Sequence, residues 1–285
     1  MRSSAASHQH PSPQQVGESY DRLDEIYRNR SVSHVHHGLW LHGNETRQQA
    51  KEQLATWAAD CLALKSGDRC VDIGSGYGEM ARQVAKVKNV SVTAITSSAL
   101  QHERALKENT FEAVEYRLGD WCSNDLPPGE YDAAWAIESL EHMKDLDLAL
   151  SQCRRVLKPG GRMILLSWLA GDRACELTEA ALLAPLVKDA HLAPLRTGSE
   201  IMTSLSRAGF EHPEAFDLTS KVKRTWAPTG KGLLFRLGLI SEDSLEPALA
   251  WRTVRIALAY NLKALSYWAI SAQAPYKSRQ PADDI

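Results

Sequence analysis

The chain has 285 residues, 44% of them hydrophobic and 24% charged, with a formal net charge of -2. That balance suits one ordinary globular domain with additions, long enough to bury both a core and a ligand site. It excludes a global pull toward nucleic acid or an anionic membrane surface, and no apolar run reaches the ~18 residues a bilayer span needs.

In chain order, the first 19 residues, MRSSAASHQHPSPQQVGES, are polar and lack the apolar stretch of a secretory signal. Their composition predicts a disordered tail over 1–19. Residues 20–30 read as helix, HVHHGLWLHGNET (34–46) as a loop rich in histidine and aromatic residues, and 45–64 as a helix with apolar spacing near 3.6. Together 20–63 form an N-terminal helical lid. The core then runs over 64–170. RCVDIGS (69–75) is a short buried strand, GEMARQVAKVK a helix, VSVTAIT (90–96) a strand, SALQHERALKENT a helix, and VEYRLGD (114–120) and YDAAWAIES (131–139) strands. DLDLALSQCRRVLKPGG reads as a helix ended by Pro-Gly-Gly, and RMILLSW (162–168) as a strand.

Strands that alternate with helices predict right-handed βαβ crossovers and a parallel sheet. After Trp168 the rhythm changes. RACELTEAALLAPLVKDA is a helical insertion, TGSEIMTSLSRAGF a helix, EHPEAFDLT a strand, the stretch from TWAPTG to KAL largely helical, and SYWAISAQAP (266–275) a last strand. Residues 171–275 therefore complete the sheet and add a helical substrate cap, and 276–285 form a polar tail. The fold class is α/β: a Rossmann-like, seven-stranded, mostly parallel sheet with helices on both faces and lid and cap additions. The five cysteines, Cys61, Cys70, Cys122, Cys153 and Cys175, are odd in number with no CxxC spacing. They read as small buried apolar residues, reduced as in a cytoplasmic protein.

The chemistry concentrates in CVDIGSGYGEMARQVA, residues 70–85. A glycine-rich turn from strand to helix lets backbone approach a ligand where a Cβ would clash. The dinucleotide pattern GxGxxG would put its third glycine at position 79, which is Glu79; the glycines here are Gly74, Gly76 and Gly78, with Asp72 ahead of them. No phosphate-binding GxxxxGK[ST] is present. An anion is unwelcome beside Asp72 and Glu79, whereas a cationic or zwitterionic ligand fits. Downstream, Asp120 ends one strand in RLGDW, and Glu138, Ser139 and His142 end another in AWAIESLEHM. In an open parallel sheet ligands collect at the carboxyl ends of strands, where Asp72, Thr96, Asp120, Glu138 and Ser167 all fall.

The motifs HVHHGLW, DIGSGYG, AITSSALQHERA, GDW, ESLEHM, RVLKPGGRMILLSW and AGF together resemble the class I S-adenosylmethionine-dependent methyltransferases, in particular the small-molecule, natural-product branch containing γ-tocopherol methyltransferases. The resemblance covers about residues 20–275 and implies S-adenosylmethionine as cofactor. By that resemblance Asp72, Gly74, Ser75 and Gly76 cradle the methionine part. Thr96, Ser97 and Gln101 take the ribose role that an acid plays in many relatives. Asp120 and Trp121 contact the adenine, and Glu138 lies beside the sulfonium and the substrate. Ser167 departs from the aspartate of sugar methyltransferases, while Trp168 agrees with the tocopherol-like branch.

Methyl transfer from a sulfonium is an in-line displacement in which the protein supplies alignment and water exclusion. His142 is the candidate general base for an O–H or N–H acceptor, with Glu138 beside it; the alternative is a structural histidine that caps the next helix. His34, His36, His37 and His42 crowd nine residues, yet no Cys or carboxylate spacing supports a metal site. They read instead as a lid over the cofactor, with His36, His37 and Trp40 facing the site. Trp226, Phe235, Trp251, Tyr260 and Trp268 are core aromatics or the lining of an apolar pocket. The expected activity is methylation of a small apolar secondary metabolite, aromatic, indolic or terpenoid, by a protein that is either a monomer or a homo-oligomer. The alternatives are an NAD(P)-dependent oxidoreductase and a noncatalytic nucleotide-binding protein.

Overall fold

A computed structural model describes residues 11–29, 36–109, 111–226 and 247–276. Seven strands form one sheet: β1 (Arg69–Ile73), β2 (Ser91–Thr96), β3 (Val114–Leu118), β4 (Tyr131–Ile137), β5 (Leu157–Ala170), β6 (Glu211–Asp217) and β7 (Leu265–Gln273). Their order is β3-β2-β1-β4-β5-β7-β6. β1 to β5 pair in parallel, and β7 runs antiparallel to both β5 and β6. The chain builds outward from β1 to β3, then returns to place β4 on the other side of β1. That reversal opens a crevice at the carboxyl ends of β1 and β4.

Alternation along each strand fills two cores. Cys70, Ala133 and Trp135 face one side, with Leu54 of α2 (Arg47–Cys61) and Val84 of α3 (Glu79–Lys88). Val71, Ile73, Ala134 and Ala136 face the other, against Leu150 of α5 (Leu146–Val156). Both faces are covered, which explains the near-continuous apolar runs of β1 and β4. α4 (Ala99–Glu108) starts at Ser98, whose hydroxyl accepts from the Gln101 amide.

Two boundaries differ from the sequence expectation. The tail assigned to 1–19 is helical from Pro13, because α1 spans Pro13–Asn29. Ser12 and Gln15 exchange hydrogen bonds, the Ser12 amide with Gln15 Oε1 at 2.8 Å and the Gln15 amide with Ser12 Oγ at 3.2 Å. That is a capping box, with proline in the first helical turn where its missing N–H costs nothing. Val16 and Ser19 are buried. The second difference is at Pro-Gly-Gly. α5 stops at Val156, and Leu157 already pairs with Tyr131. Pro159 disfavours helical geometry at Lys158, and Gly160, at φ +77°, absorbs the bend where the register shifts between Tyr131 and Ala133. The motif is thus the bent start of β5.

The insertion after β5 folds as three abutting helical pieces over residues 176–189, and a cap helix spans Pro247–Asn261. His34, Phe235 and the side chain of Trp251 lie outside the described residues. No described helix is long and apolar enough to cross a membrane.

Candidate active site

A cavity of about 410 Å³ occupies the crevice. Its walls divide into two halves.

The first half is built by the strand ends. β1 delivers Asp72 and then the loop Gly74-Ser75-Gly76-Tyr77-Gly78, whose three glycines have φ of +75°, +56° and +75°. Each glycine answers a different demand. A Cβ on Gly74 would sit 2.3 Å from Ser139 Cβ, and one on Gly78 2.3 Å from the Tyr116 ring. Those two are required by the protein's own packing. A Cβ on Gly76 would meet nothing nearer than Gln101 Nε2 at 3.9 Å, so the backbone there faces open cavity. Asp72 is buried, and its Oδ2 has no hydrogen-bond partner; neither has the buried Ser75 Oγ. Burial lifts the Asp72 carboxyl to about 7. Buried polar atoms are normally paired; these two are not, although the Trp135 indole N–H beside Asp72 opposes part of that rise.

From β2, the Thr96 hydroxyl donates to Gln101 Oε1 at 3.1 Å, which leaves the Gln101 amide nitrogen on the side of Gly76. Ser97 lines the same wall. After β3, Asp120 Oδ1 accepts from the Cys122 amide at 3.0 Å, while Trp121 donates its indole N–H to the Ala149 carbonyl at 2.9 Å. Trp121 therefore presents only its ring to the cavity.

The second half centres on Glu138, just past β4. Its φ is +52°, a left-handed backbone that a non-glycine residue adopts only under constraint. The constraint is four hydrogen bonds. Oε1 accepts from the His37 amide at 2.7 Å, His37 Nδ1 at 2.9 Å and the Tyr267 hydroxyl at 2.9 Å; Oε2 accepts from Trp168 Nε1 at 3.1 Å. Burial opposes ionisation of this carboxyl, but the His37 contacts outweigh it and hold it below the ordinary range. The His37 tautomer follows by elimination. Trp226 Nε1, which can only donate, lies 2.6 Å from His37 Nε2, so Nε2 accepts and Nδ1 carries the proton given to Glu138.

Glu141, in the turn after Glu138, is also buried. Desolvation, and next the Glu138 charge, raise its carboxyl to about 8. Its Oε2 has no partner. His142 lies between two fixed groups: Nδ1 bonds the His191 carbonyl at 3.0 Å, and Nε2 meets the Tyr20 hydroxyl of α1 at 3.0 Å. A carbonyl can only accept, so Nδ1 holds the proton and Nε2 keeps a lone pair toward Tyr20. Burial lowers the His142 pKa, so the ring is neutral at pH 7.

Asp72, Gly74, Ser75, Gly76, Thr96, Ser97, Gln101, Asp120, Trp121, Glu138, His142, His36, Trp168 and Trp226 all border this cavity. His36 turns its Nδ1 to the His37 carbonyl at 2.7 Å. Two expected lid residues do not face it. Trp40 turns away: its indole donates to the Glu45 carbonyl at 3.1 Å, and its ring packs on Gly38. His37 is 1% exposed and sits behind the wall, where its role is to hold Glu138. Ser167 borders a separate small void beside Glu141. The rings of His36 and His37 turn to different partners, and among the described residues no group of three or more His, Cys, Asp or Glu could hold a metal ion.

The sequence reading missed Tyr20, Tyr267 and Arg252, and it named Tyr260 as a core or pocket aromatic without its contact to His37 Nε2. Tyr20 had a signal: Pro13, Val16 and Tyr20 recur at helical spacing and share the face of α1 that borders the cavity.

A family model described as a methyltransferase domain matches residues 71–165. The chain is 31% identical to the 27-O-demethylrifamycin SV methyltransferase of Amycolatopsis mediterranei, over 76% of this chain and 80% of that protein. It is 30% identical to the O-methyltransferase resE of Aspergillus sclerotiorum, over 92% of this chain and 98% of that protein. Among solved structures, the [4+2]-cyclase SpnF superposes with a TM-score of 0.77 at 26% identity, covering 94% of this chain and 97% of that one.

Proposed function

The chain belongs to the class I S-adenosylmethionine-dependent methyltransferases, in their small-molecule branch, and from that premise we propose that it methylates an oxygen of an apolar natural product held under the helical cap. Family membership leaves the oxidoreductase and noncatalytic alternatives without support. S-adenosylmethionine is the cofactor, and the first half of the cavity fits it. The orphaned Asp72 carboxylate and Ser75 hydroxyl suit its methionyl ammonium and carboxyl, and Gly76 leaves the space a side chain would fill. Gln101, aimed by Thr96, and Asp120 suit the ribose and the adenine. The cofactor supplies an electrophilic methyl group.

The observation that carries oxygen as the acceptor atom is the pair Tyr20–His142. Tyr20 passes its hydroxyl proton to His142 Nε2 as its oxygen takes the proton of the acceptor hydroxyl, and the His191 carbonyl holds the resulting imidazolium through Nδ1. Trp168, Trp226, Ile137 and Leu192 offer apolar surface for the acceptor's body. The relative named as an O-methyltransferase supports the same reading.

The test is incubation of the protein with methyl-labelled cofactor and hydroxylated polyketide, aromatic, indolic and terpenoid compounds, with the product read by NMR. Label in a methoxy group is the expected result. Label on carbon or nitrogen, or no transfer by a protein that binds the cofactor, overturns the proposal. A smaller effect is expected at the ribose subsite. Gln101→Ala removes one hydrogen bond and should weaken cofactor binding by up to about tenfold; unchanged affinity by calorimetry would reject that subsite.

A further inference from the structure

The cap helix Pro247–Asn261 turns one stripe inward. Ile256, Ala259 and Tyr260 are all but fully buried. Arg252 stands one turn before Ile256 on that same stripe, at the i, i+4, i+7, i+8 spacing of an apolar face, and it borders the cavity. Its neighbour Arg255 leaves the stripe and pairs with Asp189 at 2.8 Å. Arg252 has no ion pair or side-chain hydrogen bond among the described residues. The carboxylates of the second half make no ion pair with it: Glu138 accepts from His37, Tyr267 and Trp168, and Glu141 takes the Trp168 amide on Oε1 while its Oε2 stays without a partner. Arg252 is part-buried, and the planar fork of an arginine matches a carboxylate through two parallel hydrogen bonds.

We infer that the acceptor is an acid: an apolar, hydroxylated molecule whose carboxylate pairs with Arg252 while its hydroxyl lies toward Tyr20. This inference rests on the methyltransferase reading and adds the substrate's charge to it. Arg252 then sets both affinity and orientation, because a carboxylate fixed at the cap leaves one end of the molecule for the transferred methyl.

The experiment uses the full chain loaded with S-adenosylhomocysteine and titrates hydroxylated aromatic acids against their own methyl esters by calorimetry, with 4-hydroxycinnamic acid and methyl 4-hydroxycinnamate as the first pair. At least one acid should bind about tenfold tighter than its ester. Arg252→Gln should bring the two to parity, and Arg252→Lys should keep part of the preference, with S-adenosylhomocysteine affinity unchanged in both variants. The ligand-free Arg252→Gln protein should melt close to the wild-type temperature, since it loses no ion pair or side-chain hydrogen bond to a described residue. Absence of any acid preference in the wild type, its persistence in Arg252→Gln, or a lower melting temperature of that free variant would each overturn the inference. Failure of the wild type to bind S-adenosylhomocysteine would instead remove the cofactor reading beneath it.

Discussion

Asp72→Asn should abolish most S-adenosylmethionine binding and, in the ligand-free protein, raise the melting temperature above pH 7. Both effects have one source. Asp72 is 4% exposed, and its Oδ2 lacks a partner. Burial raises its carboxyl from an ordinary 3.8 to about 7. The folded state then binds a proton that the unfolded state has already released, so this group favours folding at acid pH and the advantage disappears as pH rises through about 7. That rise corresponds to a ceiling of about 4 kcal/mol. A cation in the cavity reverses the preference. Each charge-assisted hydrogen bond lost is worth about 1.5–3 kcal/mol, tenfold to about 150-fold in affinity. Calorimetry with S-adenosylmethionine and melting curves at pH 5, 7 and 8.5 read both sides. Wild-type affinity, or a pH dependence of melting identical to the wild type, would contradict this assignment. Glu141, raised to about 8 by burial and Glu138, adds a stability loss of the same sign that Asp72→Asn leaves in place. Gly76→Val should also lose cofactor binding, because its side chain enters space the protein leaves open and φ +56° strains a branched residue.

Turnover should fall about a hundredfold or more in Tyr20→Phe and in His142→Ala, with cofactor affinity nearly intact. The two losses should not add, since the residues act as one unit through the 3.0 Å contact. Activity of the wild type should fall on the acid side, as His142 takes a proton below its ordinary pKa and Nε2 ceases to accept. A purely structural His142 would show a lower melting temperature and a proportionate loss of rate, without this pH signature. Normal turnover in both variants would reject the proton relay and favour an acceptor whose π-bond attacks the methyl without prior deprotonation.

Much of the frame was legible because it rests on local rules. Apolar and β-branched runs marked the five parallel strands, and the spacing of Gly74, Gly76 and Gly78 after Asp72 marked the glycine turn that borders the cavity. The start of α1 was misread although Ser12 and Gln15 carried the capping pattern, since the polar composition around them outweighed it. Pro159 was taken as the end of a helix, but it acts one residue earlier and lets β5 begin at Leu157. Contacts between distant residues had no local signature. Tyr20 and His142 are separated by 122 positions, and His37 and Tyr260 by 223. The left-handed backbone of Glu138 was equally silent, because it follows from partners on three separate elements and not from its neighbours in the chain.

The cofactor half of the cavity comes from the ends of β1, β2 and β3, whereas much of the acceptor half comes from the cap: Ala190 and Leu192 after the 176–189 insertion, Trp226, and Arg252. The two sets share no residue. On the proposed reading, substitutions in the second set alter what is methylated without touching Asp72 or the glycine loop, so duplicated copies of such a gene are able to diversify in product while the donor chemistry stays the same. Drift on Gly74 or Gly78 has no such freedom, because Ser139 and Tyr116 occupy the space a mutation would need.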